Sequence, residues 1–322
     1  MRPQLYSLFG VGAPAYFILL VTGFLFATIV GALWARRVGE DPDVVIDLGL
    51  AMLLAGVVGS RLLHVVADGY FWDYVHLCTD PTQVVWKITQ GECATRGGTW
   101  DAAAAVCHPK AAVELSDKIG NCLAWSYFWA GGLTYYGGFL GAVPAGWYLL
   151  RRDRFPFWKA ADMGGFTIAL GLAFGRMGCL LAGCCFGVRS DSAFALVFPG
   201  HSPASDWQWK HGMLAAKAMP SLPVLPMQIA ESAASLAICA YCYFWLHPRK
   251  RYDGQVFVAF LGLYAFARFV LEVFRSDDRG GGLGLSTSQL IGVGLMAAAY
   301  VVHRGRLAGR FEPILAPEGA RS

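Results

Sequence analysis

Apolar residues gather into seven runs, at about 14–34, 44–66, 128–150, 160–181, 226–246, 254–273 and 286–303. Each is long enough to cross roughly 30 Å of hydrocarbon as a helix. The pattern predicts an all-α integral membrane protein with seven transmembrane helices in one membrane domain. Four of the gaps carry dense cationic clusters: Arg36-Arg37; Arg151-Arg152 with Arg154 and Lys159; Arg249-Lys250-Arg251; and Arg304, Arg306 and Arg310. These gaps alternate with the others, so the positive-inside rule predicts a periplasmic N-terminus and a cytoplasmic C-terminus. The first run is longer than a signal-peptide core and is followed at once by Arg36-Arg37, so it is expected to remain as a span.

Composition agrees. Of 322 residues 56% are hydrophobic and only 15% charged, whereas about a quarter are charged in soluble domains. The net charge of +4 is spread over short clusters and forms no basic face, so no nucleic-acid partner is implied. No fixed-period repeat is present, and low complexity is confined to the alanines of 102–105 and the glycines of 280–282.

Two polar gaps are long. The first, about 67–127, is a predicted periplasmic insertion with cysteines at 78, 93, 107 and 122. In an oxidising compartment such thiols pair. Cys93 with Cys107 would staple a hairpin around Gly97-Gly98-Thr99-Trp100, and Cys78 with Cys122 would join the stems of the loop. Four cysteines allow three connectivities, and the sequence does not choose among them. A metal site using His76 or His108 is the alternative, disfavoured because the loop has no CxxC pair. The second gap, about 188–225, is also predicted to lie outside and holds His201, Trp207, Trp209 and His211. It reads as a structural segment along the headgroups, with gating or substrate docking as its other reading.

Depth along the spans brings charges to one level. At about 1.5 Å per residue, Arg61, Arg176 and Arg268 all fall roughly 20–26 Å above the inner edge. Tyr16, Tyr136 and Glu231 fall early in inward-running spans, and Glu272 lies one turn beyond Arg268 on the same face. A mid-membrane arginine costs about 2.5–3.5 kcal/mol. Each alone could snorkel, but the cost of the group falls if its members face one another across a shared polar cavity, with Glu231 and Glu272 paired to guanidinium groups. Surplus positive charge there suits the phosphate of an anionic phospholipid, which arginine can grip bidentately.

The same residues carry a resemblance. "GGLTYYGGFLG" (131–141), "GRMGCLLAGCCFG" (175–187), "PMQIAES" (226–232) and "YAFARFVLEVFRSDD" (264–278) resemble, in order, segments of the prolipoprotein diacylglyceryl transferase family. Tyr16 and Arg61 fall where that family's first-span tyrosine and second-span arginine would lie. The resemblance implies a multi-pass enzyme of the bacterial inner membrane with no cofactor and no metal. Such an enzyme moves the diacylglyceryl group of phosphatidylglycerol to the lipobox cysteine of a prelipoprotein and releases glycerol phosphate. It further implies that Arg176 and Arg268 hold the phosphate, Glu272 orients Arg268, Tyr16 lines the cavity and Gly187 permits close backbone approach. Arg61, Gln228, Glu231, Tyr264 and Arg275 would support them.

Departures from the family pattern fall at its centre. Tyr136 stands where the family has histidine, Cys179 and Ala182 where it has asparagines, and Cys184 where it has glutamate. A phenol is a poor base at neutral pH, and Cys184 beside Arg176 is the residue that could take over from the carboxylate. Cys179, Cys184 and Cys185 do not share a face of a continuous helix, so a metal site there requires the helix to break at Gly183. Small buried hydrophobes, a disulfide or a catalytic role are the other readings of these cysteines. Cys239 and Cys242 form a CxxC by letter within the fifth run and read as packing. A lipid-binding relative without transferase activity, or a thiol oxidoreductase, are the competing functions.

Overall fold

The computed structural model describes residues 4–8, 11–67, 71–79, 84, 90, 93, 99–102, 106–108, 124–126, 134–275, 281–282 and 285–309. A short hairpin, β1 (Gln4–Leu8) with β2 (Val11–Pro14), leads into α1 (Ala15–Val38). α2 (Pro42–Ala67), α3 (Phe71–Thr79), the pair β3 (Thr99–Asp101) and β4 (Val106–His108), α4 (Tyr135–Arg152) and α5 (Phe157–Ala182) follow. Then come α6 (Pro203–Lys210), α7 (Met227–Ala240) with a π-turn and a 3-10 turn carrying it to Arg249, α8 (Gln255–Glu272), the pair β5 (Gly281–Gly282) and β6 (Leu285–Ser286), and α9 (Thr287–Leu307).

The protein is a helical, multi-pass membrane protein. Among the described residues five helical stretches are long and apolar enough to cross a membrane: α1, α2, α5, Met227–Arg249 and α8. α4 and α9 are helical at the third and seventh predicted runs but are not among these five, and the first residues of the third run, 128–133, lie outside the described residues. Large apolar side chains stand on outer helix faces, as with Leu54 at 66% and Phe244 at 73% exposure. Hydrocarbon solvates such faces at no cost, whereas water would not.

The chain divides into two compact units, Met1–Leu50 with Tyr148–Ser322, and Ala51–Trp147. In the second unit α2 and α4 meet through small residues. A Cβ at Gly59 would reach Gly137 O at 2.5 Å and Gly141 Cα at 3.2 Å, the close backbone approach by which membrane helices gain dispersion contact without a hydrophobic drive. Ser60 Oγ donates to Thr134 O at 2.8 Å beside this contact. In the same unit Cys93 and Cys107 form a disulfide across the β3–β4 hairpin. Cys78 is also disulfide-bonded, and Cys122 lies outside the described residues.

In the first unit α1, α5, α7 and α8 pack side by side, and α9 covers α8. At one end the fully buried Asp162 of α5 accepts from Lys250 Nζ at 2.7 Å and from the Val256 N–H at 2.8 Å, tying the α7–α8 turn to α5. Burial alone would depress the Lys250 ammonium, but its hydrogen bonds to Asp162 and Asp253 outweigh burial and hold it above the usual lysine range. Near it, Trp34 Nε1 donates to His247 Nε2 at 2.8 Å and Phe166 packs edge-on against both rings. Toward the other end, residues 187–226 form a packed segment. Phe186, Phe198, Ala204 and Val224 make a small core with Trp207 against it, and α6 begins at a capping box of Ser202 and Ser205 with Pro203 in the first turn. Cys239 and Cys242 are thiols on α7 and its π-turn, and Cys242 is fully buried 4.0 Å from Val256 O.

Candidate functional site

The charged residues of the first unit converge on one carboxylate. Glu231, one turn into α7 and 5% exposed, accepts through Oε1 from Arg275 Nη1 at 2.7 Å and from Arg268 Nη1, and its Oε2 is ion-paired with Arg176 Nε at 2.5 Å. Arg268 Nη2 reaches Glu272 Oε2 at 2.8 Å, one helical turn along α8. The second Glu272 oxygen accepts from Ser288 Oγ at 2.5 Å and Ser286 Oγ at 3.2 Å at the start of α9. The i,i+4 spacing of Arg268 and Glu272 sets the first of these pairs. The capping box of Ser286 and Gln289 fixes α9 where its serines meet the carboxylate.

Three guanidinium groups against two carboxylates leave one positive charge, held within the membrane-facing scaffold. Side-chain exposure rises from 2% at Arg275 through 11% at Arg268 to 18% at Arg176. Arg275 is therefore an internal strut, and Arg176 is the guanidinium most open to an incoming anion. A narrow cleft beside the cluster is lined by Glu231, Ser235, Ile238, Tyr264, Ala267 and Arg268, and Tyr264 stacks on Phe260 at 5.8 Å.

Backbone geometry holds the cluster together. Gly187 forms an isolated antiparallel bridge with Arg275, its N–H donates to Leu225 O at 2.9 Å, and Val188 N–H donates to Phe274 O at 2.9 Å. A Cβ on Gly187 would stand 2.6 Å from Met227 Cγ and 2.8 Å from Phe274 O. Only glycine permits this approach. Gln228, fully buried, donates from Nε2 to Cys184 O at 2.7 Å, while its Oε1 has no hydrogen-bond partner among the described residues. Tyr16 heads α1 and lies against Gly178, where a Cβ would come within 3.1 Å of Tyr16 Cα.

The helix ends at the glycine where it must end for the three thiols to meet. α5 ends at Ala182 with Gly183 as a left-handed cap at φ 75°, and the Sγ atoms of Cys179, Cys184 and Cys185 all lie within 4.8 Å of one another. No continuous-helix argument could place them together.

The remaining expected residues belong to the second unit. Arg61 is buried there, donating from Nε to Trp125 O at 2.5 Å and from Nη2 to Tyr74 Oη at 2.8 Å, with the Tyr74 ring 5.2 Å from its guanidinium carbon. Tyr136 is 69% exposed and meets Tyr135 edge-on. Sequence reasoning missed the centrality of Glu231, the two serines on Glu272 and the buried Asp162. For Asp162 the signal was present, since a carboxylate inside an apolar run demands a partner.

Comparison with known proteins fits these features to one family. The model of prolipoprotein diacylglyceryl transferase matches residues 3–116 and 118–303. A phosphatidylglycerol–prolipoprotein diacylglyceryl transferase 2 of Clostridium perfringens is 23% identical over 313 residues, 97% of this chain and 98% of that protein. The Dehalococcoides mccartyi transferase is 25% identical over 308 residues, 94% of each chain. That of Neisseria meningitidis serogroup C / serotype 2a reaches 34% over 205 residues, 58% of this chain and 69% of that protein. Matched almost end to end, with the arginine and glutamate segments inside the matched range, the chain belongs to the prolipoprotein diacylglyceryl transferase family.

Proposed function

We propose that this protein transfers the diacylglyceryl group of phosphatidylglycerol to the lipobox cysteine of a prelipoprotein, forming a thioether and releasing glycerol phosphate. It works as a seven-span protein of the bacterial inner membrane with a periplasmic N-terminus and site. The observation that carries this reading is the Arg176–Glu231–Arg268 constellation with its net positive charge. A phosphodiester headgroup bears one negative charge and acquires a second as it leaves, so a fixed cation beside it favours the transition state over the bound lipid. Arg176 and Arg268 contact the phosphate, Glu272 and Glu231 aim Arg268, and Arg275 with Gly187 braces the pair from behind. Tyr264 and Tyr16 shape the wall of the site. Because Glu231 and its neighbours fix the guanidinium groups before lipid arrives, little reorganisation is required during the reaction.

The test is direct. Purified protein with phosphatidylglycerol and a lipobox peptide should yield the thioether-linked diacylglyceryl peptide by mass spectrometry. Arg176→Ala and Arg268→Ala should each lower the rate on the order of a hundredfold or more. Lipid binding without product, or full activity in Arg176→Ala, overturns the reading.

A further inference from the structure

Phosphate chemistry leaves three thiols unexplained. Beyond the left-handed Gly183, Cys185 is itself held at φ 61°, a region disfavoured for any residue with a Cβ. The double reversal folds the segment back on the last turn of α5. Cys184 N–H donates to Cys179 O at 3.2 Å, and Cys184 Sγ lies 3.7 Å from the same oxygen. Cys179 is buried, and Cys184 and Cys185 are partly exposed.

We propose that Cys179, Cys184 and Cys185 bind one Zn2+ ion, and that the acceptor cysteine of the transfer reaction takes the remaining coordination position. The second half rests on the transferase reading; the first half does not. Zinc–sulfur bonds of about 2.3 Å imply sulfur–sulfur edges of about 3.8 Å in a tetrahedron. Sulfurs already within 4.8 Å of one another need only rotamer adjustment to reach that spacing. Three sulfur ligands select a thiophilic ion over magnesium or calcium. Three protein ligands with one open position are the arrangement of catalytic rather than structural zinc.

The ion supplies what the altered motif lacks. With Tyr136 at the position of the family's histidine, no imidazole stands there to take the acceptor proton, whereas coordination to zinc deprotonates a thiol outright. The acceptor thiol binds and its proton leaves to solvent. Its sulfur then attacks the glycerol carbon, the carbon–sulfur bond forms and the carbon–oxygen bond breaks. The electron pair stays on the phosphate oxygen, and glycerol phosphate departs beside Arg176 and Arg268. Zinc does not change oxidation state, and no oxidant is required.

Reduced, full-length protein in detergent, equilibrated with Zn2+ and dialysed, should hold about one zinc per chain by mass spectrometry. Cys179→Ser/Cys184→Ser/Cys185→Ser should fall to background, while Cys239→Ser/Cys242→Ser keeps its zinc. Because the triple variant could misfold, two readouts use the unmodified chain. Zinc should protect the three thiols from maleimide, mapped by peptide mass. Cobalt in its place should show sulfur-to-metal charge-transfer bands that intensify with a lipobox peptide and not with its Cys→Ser analogue. Zinc no higher than in the triple variant, unprotected thiols, or a disulfide among the three in protein isolated without reductant overturns the site. Transfer at the unmodified rate in the triple variant overturns the catalytic role, which otherwise predicts a loss on the order of a hundredfold or more. Stoichiometric zinc with no transfer of lipid by the unmodified protein overturns the transferase reading and leaves the metal site standing.

Discussion

Glu231→Gln is the most informative single change, because one carboxylate serves three guanidinium groups. The amide keeps the volume and one acceptor oxygen but turns an NH2 donor toward an arginine and removes the charge that Arg176, Arg268 and Arg275 share. The cluster then carries three positive charges against Glu272 alone. Hydrogen bonds to charged groups contribute about 1.5–3 kcal/mol each, and removing one side of a buried ion network costs about 3–5 kcal/mol. Glu231 is 5% exposed, so solvent screens little of this loss. Set against the roughly 5–15 kcal/mol of a typical fold, the variant should unfold at distinctly lower temperature in neutral detergent, followed by tryptophan fluorescence. The charge account makes a second demand. Phosphatidylglycerol, whose headgroup supplies a replacement anion, should restore part of the lost stability, and phosphatidylcholine at the same mole fraction should restore much less. Unmodified thermal stability in Glu231→Gln, or equal rescue by the two lipids, refutes the reasoning.

Lys250→Met leaves the fully buried Asp162 with the Val256 N–H as its one hydrogen bond among the described residues, and should cost about 3 kcal/mol in chemical unfolding, largely recovered in Asp162→Asn/Lys250→Met. A raised lysine value means this contribution is complete below the ordinary lysine pKa and disappears only as pH climbs through the raised one. The deficit of Lys250→Met should therefore be the same at about pH 7 and about pH 9. Gly187→Ala drives a methyl against Phe274 O and Leu225 O at 2.8 and 2.9 Å and so pushes the Arg275 strand away. It should cost about 1–3 kcal/mol by thermal unfolding, with at least about a tenfold fall in kcat/KM for lipid transfer. Cys93→Ser/Cys107→Ser frees a loop of sequence separation 14, worth about 3 kcal/mol of local constraint. Added protease should cut the 67–127 segment faster, while transfer by the uncut enzyme stays near its original rate.

Hydropathy made the helices legible because a membrane imposes one rule, that every backbone group be satisfied within the element. The bounds of an apolar run are not those of its helix: the first run ends near 34, and α1 continues through Arg36 and Arg37 to Val38, because a helix has no reason to end at a charge. Depth along the helix sets Arg61, Arg176 and Arg268 at one level with Glu231; the first unit brings Arg176, Arg268 and Glu231 together, and Arg61 belongs to the second unit. Rotation about the axis is not legible, since a small change in helix crossing decides which level-mates touch. Hence the sequence marks Glu231 as a supporting residue, although three guanidinium groups meet on it. Pairing carboxylates with arginines one to one does not describe the cluster, because one buried carboxylate faces three guanidinium groups.

The cysteines show a different limit. Helical geometry correctly separates positions 179, 184 and 185 for as long as the helix lasts, and the sequence itself marks where it stops, since glycine after the last apolar residue is the usual left-handed cap. What no propensity supplies is the second left-handed residue, Cys185 at φ 61°, where glycine would be the default. A side chain kept in that conformation must be held by its surroundings. The bonds that surround it here are Cys184 N–H to Cys179 O, Gln228 Nε2 to Cys184 O and Gly187 N–H to Leu225 O. They belong to the same backbone network that seats Arg275 on Glu231. The thiol cluster and the arginine–glutamate cluster are thus two outputs of one local fold, and a change to either should be felt by the other.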